Sequence, residues 1–157
     1  MLAAIALGSN LEGTFGSPEE NIRAAFLRLS ALGEVKATSS LYVTTPVGYL
    51  DQPNFVNAAA LLETQLAPLE LLRGLLAIER EFGRDRSANA ISKGPRTLDL
   101  DLLLYGEEVM NTEELTLPHP AMHERRFVLE PLAEIAPTLL HPTLQITIAE
   151  LLSALSA

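Results

Sequence analysis

The feature that most constrains the fold of this chain is the stretch from residue 94 to residue 106, which reads GPRTLDLDLLLYG. Its centre alternates leucine with aspartate and then becomes wholly apolar, a pattern that predicts a strand entering a core. Side chains alternate between the two faces of a strand, so Asp99 and Asp101 point the same way, about 7 Å apart. The opposite face carries Leu98, Leu100 and Leu102.

Two carboxylates on one face of an otherwise apolar strand repel each other, and the stretch offers no basic neighbour on that face. A divalent cation would remove this repulsion, and Mg²⁺ prefers hard oxygen ligands that also serve phosphates. The alternative is a half-exposed strand whose polar face meets solvent. Aspartate is disfavoured in strands, and glutamate, lysine or threonine would suit a solvated face better, which favours the metal interpretation.

The length and composition predict one domain over residues 1–157, because 157 residues can bury a substantial core. The chain contains no cysteine, which excludes disulfides and thiolate metal sites. No apolar run approaches the length of a membrane span, and the apolar N-terminus lacks the basic segment of a secretion signal. We therefore expect a cytoplasmic protein that does not bind membranes.

The distribution of charge indicates a small anionic ligand. The net charge of −9 argues against a nucleic-acid groove binder, which needs a positive surface. Arg84, Arg86, Lys93 and Arg96 nonetheless fall within 13 residues that contain a single acid, Asp85. An acidic protein with one basic loop suits a small polyphosphate better than a polymer.

The order of predicted elements is strand, helix, strand, strand, helix, strand. Ser17 and Glu20 form the capping box that opens the first helix, and Pro68 opens the second. Glycines end both helices, at residues 33 and 83, and the strands are predicted at 2–8, 34–43, 54–63 and from 97. This order predicts an α+β fold with a ferredoxin-like βαββαβ core, a mainly antiparallel sheet covered by helices.

Helical additions are predicted after this core. Gly106 turns the chain, and residues 107–116 are expected to include a short hairpin partner. Residues 118–126 and 127–135 are predicted to be helical. Thr147 and Glu150 form a further capping box, which opens a terminal helix that runs to about residue 155.

Several classes of catalytic site are excluded by missing motifs. The chain has no GxxxxGK[ST] loop, no GxGxxG loop and no GxSxG elbow. Its histidines at 119, 123 and 141 are not spaced as zinc ligands. The remaining set is the aspartate pair, the arginine cluster and an aromatic-bearing loop at 44–53, which suits phosphoryl transfer by positioning and charge neutralisation.

Motifs along nearly the whole chain resemble those of the 6-hydroxymethyl-7,8-dihydropterin pyrophosphokinases of folate biosynthesis. The most specific is GPRTLDLD at 94–101; the others are ALGSN at 6–10, SSLY at 39–42, TP at 45–46, DQP at 51–53, FVNA at 55–58, GR at 83–84 and LPH at 117–119. The resemblance implies transfer of diphosphate from ATP to the pterin hydroxymethyl group with release of AMP. It also implies the same ferredoxin-like fold.

The resemblance further implies a set of site residues. Asp99 and Asp101 would hold two Mg²⁺ ions, and the catalytic set would be these two residues with Arg84 and Arg96. The ATP side would consist of Glu79, Arg84, Arg86, Arg96, Leu102, Thr116, His119 and Arg125. The pterin side would consist of Thr44, Pro46, Val47, Phe55, Asn57, Asp99 and Phe127, with the two phenylalanines stacking on the heterocycle.

Two other functions stay open on the residues alone. One is a catalytically silent ferredoxin-like binding module, and the other is a metal-dependent phosphohydrolase that activates water with the same aspartates. Glu79 could likewise be an ordinary surface glutamate. The expected partners are ATP and the hydroxymethyl dihydropterin, with no nucleic acid, and the chain is expected to be a monomer or weak dimer.

Overall fold

A five-stranded sheet forms the centre of the molecule, of which the computed structural model describes residues 1–13, 15–45, 53–83 and 97–156. The strands are β1 (Leu2–Ser9), β2 (Glu34–Thr38), β3 (Tyr42–Thr44), β4 (Phe55–Glu63) and β5 (Asp99–Tyr105). They are ordered β2-β4-β1-β5, with β3 also paired to β4, and every pairing is antiparallel. With one helix after β1 and one after β4, this is the predicted ferredoxin-like arrangement.

The first, second and terminal helices begin where the capping signals predict, but the first ends at Arg28, before the predicted Gly33, and continues as a 3₁₀ turn over Leu29–Ala31. The helices are α1 (Pro18–Arg28), α2 (Pro68–Glu81), α3 (Arg126–Ile135) and α4 (Ile148–Ser156). The capping box at Ser17 is present, with Glu20 N–H donating to Ser17 Oγ at 3.2 Å and Ser17 N–H to the Glu20 carboxylate at 3.0 Å. The box at Thr147 and Glu150 also forms. In the described ranges, no helix combines the length and apolarity that a bilayer span requires.

Both faces of the sheet are covered, so the structure has two apolar layers. Alternate residues of β1 serve one layer each: Ile5 packs with α1 and α2, whereas Ala4 packs with α3 and α4. On the second face the central strands present alanine at positions 4, 6 and 59, and small side chains allow α3 to pack directly against them. The sheet face under α3 is therefore apolar and closely filled.

The single strand predicted at 34–43 is wrong, because the structure divides it into β2 and β3. Ser39 N–H donates to the Ala59 carbonyl at 2.9 Å, and Ala59 N–H donates to Ser39 Oγ at 2.8 Å. A side chain thus takes the place of a backbone acceptor, and the ladder stops. The Ser40 N–H turns instead to a carboxylate of α3, that of Glu134.

The expected hairpin partner of the fourth strand is also placed differently. Within residues 107–116, Met110 and Asn111 form β6, which pairs with β7 (Thr116–Leu117) in a separate two-stranded sheet. Gly106 has φ +54°, a left-handed conformation that turns the chain away from β5. Two groups instead occupy the outer edge of β5: His119 N–H donates to the Leu103 carbonyl at 2.9 Å, and the Glu79 carboxylate accepts from Leu100 N–H at 2.7 Å.

The helical region predicted at 118–126 is shorter in the structure. Only Met122–Glu124 forms a turn of 3₁₀ helix before α3 begins at Arg126. The short turn ends at Arg125, whose φ of −113° and ψ of 101° are those of extended backbone. This extended residue redirects the chain, so that α3 can lie across the sheet.

Candidate active site

The face of the sheet that α3 covers becomes polar beyond the N-terminal end of that helix. Asn57 of β4 and Asp99 of β5 are both register partners of Gly8 on β1, and Tyr42 of β3 is the partner of Asn57. These four residues form one row across the sheet. Asp101 lies in the next row, opposite Ala6. The strand faces that are apolar under α3 thus carry an amide and two carboxylates beyond the first residues of the helix.

A pocket of about 130 Å³ opens over this polar end of the sheet. It is lined by Ala6, Leu7, Gly8, Thr44, Thr45, Phe55, Asn57, Asp99, Asp101, Arg125, Phe127 and Val128. The lining contains one cation, two carboxylates, one amide and two aromatic rings. Such a pocket offers flat apolar walls to a ring at one end and charged groups to an anion or a metal at the other.

Gly8 forms the floor of the pocket between Asn57 and Asp99. A Cβ atom at this position would lie only 3.1 Å from Asn57 Oδ1 and 3.8 Å from Cδ1 of Phe55. Asn57 and Asp99 stand two strands apart, about 10 Å. Glycine therefore leaves the space between the amide and the carboxylate open.

The orientation of the Asn57 side chain is fixed by Thr44. The Asn57 Nδ2 group donates a hydrogen bond to Thr44 Oγ1, and Asn57 is only 7% exposed. This bond uses one of the two amide protons and sets which way the amide faces. Thr44 and Phe55 are themselves register partners, so β3 and β4 together hold this wall.

Arg125 and Phe127 form the wall contributed by the start of α3. The guanidinium carbon of Arg125 lies 5.7 Å from the centroid of the Phe127 ring, a cation–π arrangement. This contact holds a charged group and an aromatic face side by side at the pocket.

The two aspartates suit a hard divalent cation. Mg²⁺ is commonly bound by one or two carboxylates together with substrate phosphates, rather than by a cage made of protein alone. Within the described ranges, no group of three or more histidine, aspartate or glutamate side chains could hold a metal ion. The pair at residues 99 and 101 therefore fits a cation that shares its remaining coordination with a ligand.

His119 lies within electrostatic reach of the pocket. Burial lowers the pKa of its imidazole, and the charge of Arg125 lowers this pKa further, whereas Asp99 acts in the opposite direction. Its Nδ1 accepts a hydrogen bond from Ala121 N–H at 3.3 Å. The neutral ring consequently carries its proton on Nε2, where it can donate.

Comparison with known proteins identifies the family. Residues 4–137 match the profile of the family described as 7,8-dihydro-6-hydroxymethylpterin-pyrophosphokinase (HPPK). The chain belongs to this family. A 2-amino-4-hydroxy-6-hydroxymethyldihydropteridine pyrophosphokinase of Haemophilus influenzae is 49% identical over 146 residues, which cover 92% of this chain and 87% of the relative. The enzyme of that name from Pseudomonas aeruginosa is 49% identical over 140 residues, 88% of this chain and 82% of the relative.

Solved structures agree with the fold. A crystal structure of Plasmodium falciparum HPPK-DHPS with pteroate superposes with a TM-score of 0.76 at 15% sequence identity. The match covers 98% of this chain and 44% of that longer chain, so this chain spans less than half of it. The family resemblance and the α+β, ferredoxin-like prediction are both confirmed.

Seven of the residues to which the pyrophosphokinase resemblance gave roles line this one pocket. They are Thr44, Phe55, Asn57, Asp99, Asp101, Arg125 and Phe127. They come from three strands and from the segment that opens α3. Residues far apart in sequence that the resemblance assigned to metal, nucleotide and pterin are thus neighbours in space.

Four described residues assigned to ATP do not line the pocket, and His119, described above, is one of them. Glu79 is 1% exposed, which contradicts the surface alternative, and its carboxylate holds the Leu100 N–H. The Leu102 side chain packs in the core on the opposite face from the aspartates, so only its backbone could meet a ligand. Thr116 lies on β7, where it pairs with Asn111. Their roles toward the nucleotide stay predictions.

Arg84, Arg86, Arg96, Pro46 and Val47 lie outside the described residues, as does most of the predicted loop at 44–53. Sequence reasoning gave no role to five of the lining residues, Ala6, Leu7, Gly8, Thr45 and Val128. The signal for Gly8 was a glycine inside a strand pattern, which often marks a close approach of backbone to a ligand or a neighbour. Only the register of β1 shows that it separates Asn57 from Asp99.

Proposed function

We propose that this pyrophosphokinase transfers the terminal diphosphate of ATP to the hydroxymethyl group of 6-hydroxymethyl-7,8-dihydropterin and releases AMP, as a step of folate biosynthesis. The observation that carries the proposal is that one pocket is lined by Asn57, which lies across Gly8 from Asp99, and also by Asp101, Phe55 and Phe127. The family to which the chain belongs supports the same reaction.

The wall of Thr44, Asn57 and Phe55, completed by the Phe127 ring from the separate α3 wall, suits a flat, polar heterocycle. Aromatic rings offer stacking faces, and a fixed amide offers one donor and one acceptor in a defined direction. Because one Asn57 N–H already donates to Thr44, the Asn57 Oδ1 and the second N–H are the groups that can hydrogen-bond the edge of a pterin. We infer that this wall binds the acceptor.

The opposite side of Gly8 suits the phosphates. Asp99 and Asp101 would hold Mg²⁺, two ions by the family resemblance, and the bound cation would supply positive charge to neutralise the phosphate oxygens. Arg125 presents a guanidinium to the same space. His119, kept neutral by burial, would donate from Nε2 to a phosphate oxygen. We assign Glu79, Leu102, Thr116 and Arg86 to the nucleotide as well, and Arg84 and Arg96 to the transferred diphosphate.

In the proposed step the hydroxymethyl oxygen attacks the β-phosphorus of ATP. An oxygen–phosphorus bond forms, the bond from the β-phosphorus to the bridging oxygen on the α-phosphate breaks, and the hydroxyl proton leaves to solvent or to phosphate. The residues contribute mainly by placing the acceptor oxygen and by neutralising charge, which is what phosphoryl transfer requires of a protein.

A metal-dependent phosphohydrolase would need only the carboxylate half of this pocket. The aromatic rings of Phe55 and Phe127 together with the oriented amide of Asn57 favour an organic acceptor over water. A silent binding module would have no use for two carboxylates placed side by side at the pocket. We further propose that residues 1–157 act as one domain, in the cytoplasm, as a monomer or weak dimer.

The test is product analysis after incubation with ATP, Mg²⁺ and 6-hydroxymethyl-7,8-dihydropterin, with nucleotides and pterins separated by chromatography. The proposal predicts AMP and pterin diphosphate in equal amounts, and no AMP when the pterin is omitted. ADP or free phosphate formed without the pterin would indicate the phosphohydrolase, and no turnover would indicate the silent module.

A further inference from the structure

Glu134, near the C-terminal end of α3, joins that helix to the chain that leads into β3. Its two carboxylate oxygens accept from Ser40 N–H at 3.1 and 3.0 Å, and one of them also accepts from Ser40 Oγ at 3.1 Å. The Tyr42 hydroxyl donates to the other oxygen at 2.6 Å. One side chain thereby satisfies the backbone N–H that the strand ladder abandons after Ser39.

We call the contact of Glu134 with Ser40 and Tyr42 the joint. Its two ionisable groups, the Glu134 carboxyl and the Tyr42 hydroxyl, keep the same protonation state over the ordinary range of pH. The hydrogen bond from Tyr42 is the main cause that lowers the pKa of the Glu134 carboxyl, with further contributions from Ser40. The same bond raises the pKa of Tyr42 to about 12. Glu134 is therefore ionised and Tyr42 protonated at neutral pH, and their hydrogen bond is charge-assisted.

The joint connects the two walls of the acceptor end of the pocket. On one side, Tyr42 is the register partner of Asn57, and Thr44, two residues further along β3, fixes the Asn57 amide. On the other side, α3 carries Phe127 at its beginning, seven residues or about 10 Å before Glu134. Glu134 itself does not line the pocket.

We propose that Glu134, acting through Tyr42 and Ser40, is a positioning residue that sets the spacing between the Thr44–Asn57 wall and the Phe127 wall. The inference rests on the proposed function, because it concerns how well the site accepts the pterin. Arg125 contacts Phe127 and shares part of any shift of α3, whereas the two aspartates lie on β5 outside the joint, so the nucleotide side is affected less.

The expected loss of affinity comes from a smaller population of molecules in the binding-competent conformation. Without the joint, the segment at 40–45 and α3 can adopt several relative placements, and only some of them hold both walls at the width of a pterin. The apparent dissociation constant rises as the competent fraction falls. A fall of that fraction to about one fifth or one tenth weakens pterin binding about five- to tenfold.

The test uses the full chain with Glu134→Gln, which keeps the size of the side chain but removes its charge and one acceptor, and Tyr42→Phe, which removes only the hydroxyl. Glu130→Gln is the matched control, because Glu130 lies one turn earlier on the same helix and bonds Arg126 on the exposed surface. Pterin affinity is measured by titration in the presence of a non-hydrolysable ATP analogue. The same preparations give KM for both substrates, kcat and Tm.

We expect Glu134→Gln and Tyr42→Phe each to raise the dissociation constant and KM for the pterin about five- to tenfold. The KM for ATP and kcat should change less than about twofold, and Glu130→Gln should resemble the wild type in all of them. A merely structural tie would lower Tm and leave the pterin constants unchanged, and this result would overturn the inference. Equal increases in the KM for ATP and in the KM for the pterin would overturn the inference as well. If the wild type bound no pterin at all, the proposed function itself would fail. The titration of the wild type distinguishes this failure from a failure of the inference about Glu134, which concerns only the variants.

Discussion

The guanidinium carbon of Arg125 lies 5.7 Å from the centroid of the Phe127 ring, and both residues line the same pocket. The family resemblance gives Arg125 to the nucleotide and Phe127 to the pterin. Under these assignments, their contact places a shared boundary between the two substrate sites at the beginning of α3. A change in either side chain should therefore be felt by both substrates.

Arg125→Lys tests this shared boundary. Lysine keeps the positive charge but loses the planar group that stacks on Phe127 and pairs with phosphate along two bonds. We expect the KM for ATP to rise about tenfold and the KM for the pterin about threefold, measured by steady-state AMP formation. Arg126→Lys is the control, because the neighbouring arginine pairs with Glu130 on the surface. If the KM values change equally in Arg125→Lys and Arg126→Lys, Arg125 does not form a boundary between the two substrate sites.

Gly8→Ala tests the floor of the pocket. The added methyl group would lie 3.1 Å from Asn57 Oδ1, so the amide that bonds Thr44 must shift by a few tenths of an ångström. We expect the KM for the pterin to rise about tenfold, with a small change in Tm. In a double-mutant cycle, the effect of Gly8→Ala should largely disappear in an Asn57→Ala background. Full additivity of the two effects would show that Gly8 does not act through Asn57.

Much of this site could be predicted from sequence, because its signals are local. The alternation around Asp99 and Asp101 placed both carboxylates on one face, and the structure agrees. The capping residues at 17, 20, 147 and 150 located two helix starts. In each case the residues that decide the structure lie within a few positions of one another.

The features that sequence reasoning missed depend on partners far away in the chain. The break between β2 and β3 requires a carboxylate at Glu134, 94 positions from Ser40. The burial of Glu79 depends on the Leu100 N–H at the free edge of β5. The role of Gly8 follows only from its pairing with two different strands. No local pattern contains this information.

A buried polar cluster at the entrance to β5 should be important for stability. Asn21 is fully buried, and its Nδ2 donates to the carbonyls of Leu11 and Thr97, each at 3.1 Å, with Ser9 Oγ at 3.4 Å. Asn21→Ala should lower the free energy of unfolding by about 2 kcal/mol in urea titrations. Asn21→Asp should cost more than Asn21→Ala at neutral pH, although it is nearly isosteric, because it removes the donors and buries a charge.

The exposed Asn111 provides the control for that comparison, since Asn111→Asp alters the same groups on the surface of β6. It should change the free energy of unfolding by less than about 0.5 kcal/mol. A smaller loss for Asn21→Asp than for Asn21→Ala would mean that size rather than hydrogen bonding matters at this position.

The buried His141 should make stability depend on pH. Burial is the main cause that lowers the pKa of His141 below its ordinary 6.5, and the charge of His123 adds to it; Nδ1 also accepts the Leu144 N–H at 3.0 Å. Below about pH 6.5 the unfolded chain binds a proton that the folded chain resists. Stability is therefore complete above that pH and is lost as the pH falls toward the lower folded pKa.

His141→Asn removes this titration but keeps an acceptor near the position of Nδ1. We expect urea midpoints of the wild type to fall between pH 7.5 and pH 5.5, and those of the variant to fall less steeply. His119, whose pKa burial also lowers, accounts for part of the remaining slope. An unchanged slope in the variant would show that His141 does not contribute to it.

We propose Asp99 and Asp101 as the catalytic centre for diphosphate transfer to a ligand held against Asn57. The most direct measurement is the rate of AMP formation by Asp101→Asn with ATP, Mg²⁺ and the pterin at saturating concentrations. The control is Glu34→Gln, a carboxylate change on β2 at the far end of the sheet. We expect kcat to fall about 10³-fold or more for Asp101→Asn, with Tm and pterin binding nearly unchanged, and wild-type behaviour for the control. A folded Asp101→Asn variant that retained more than about a tenth of the wild-type rate would contradict it.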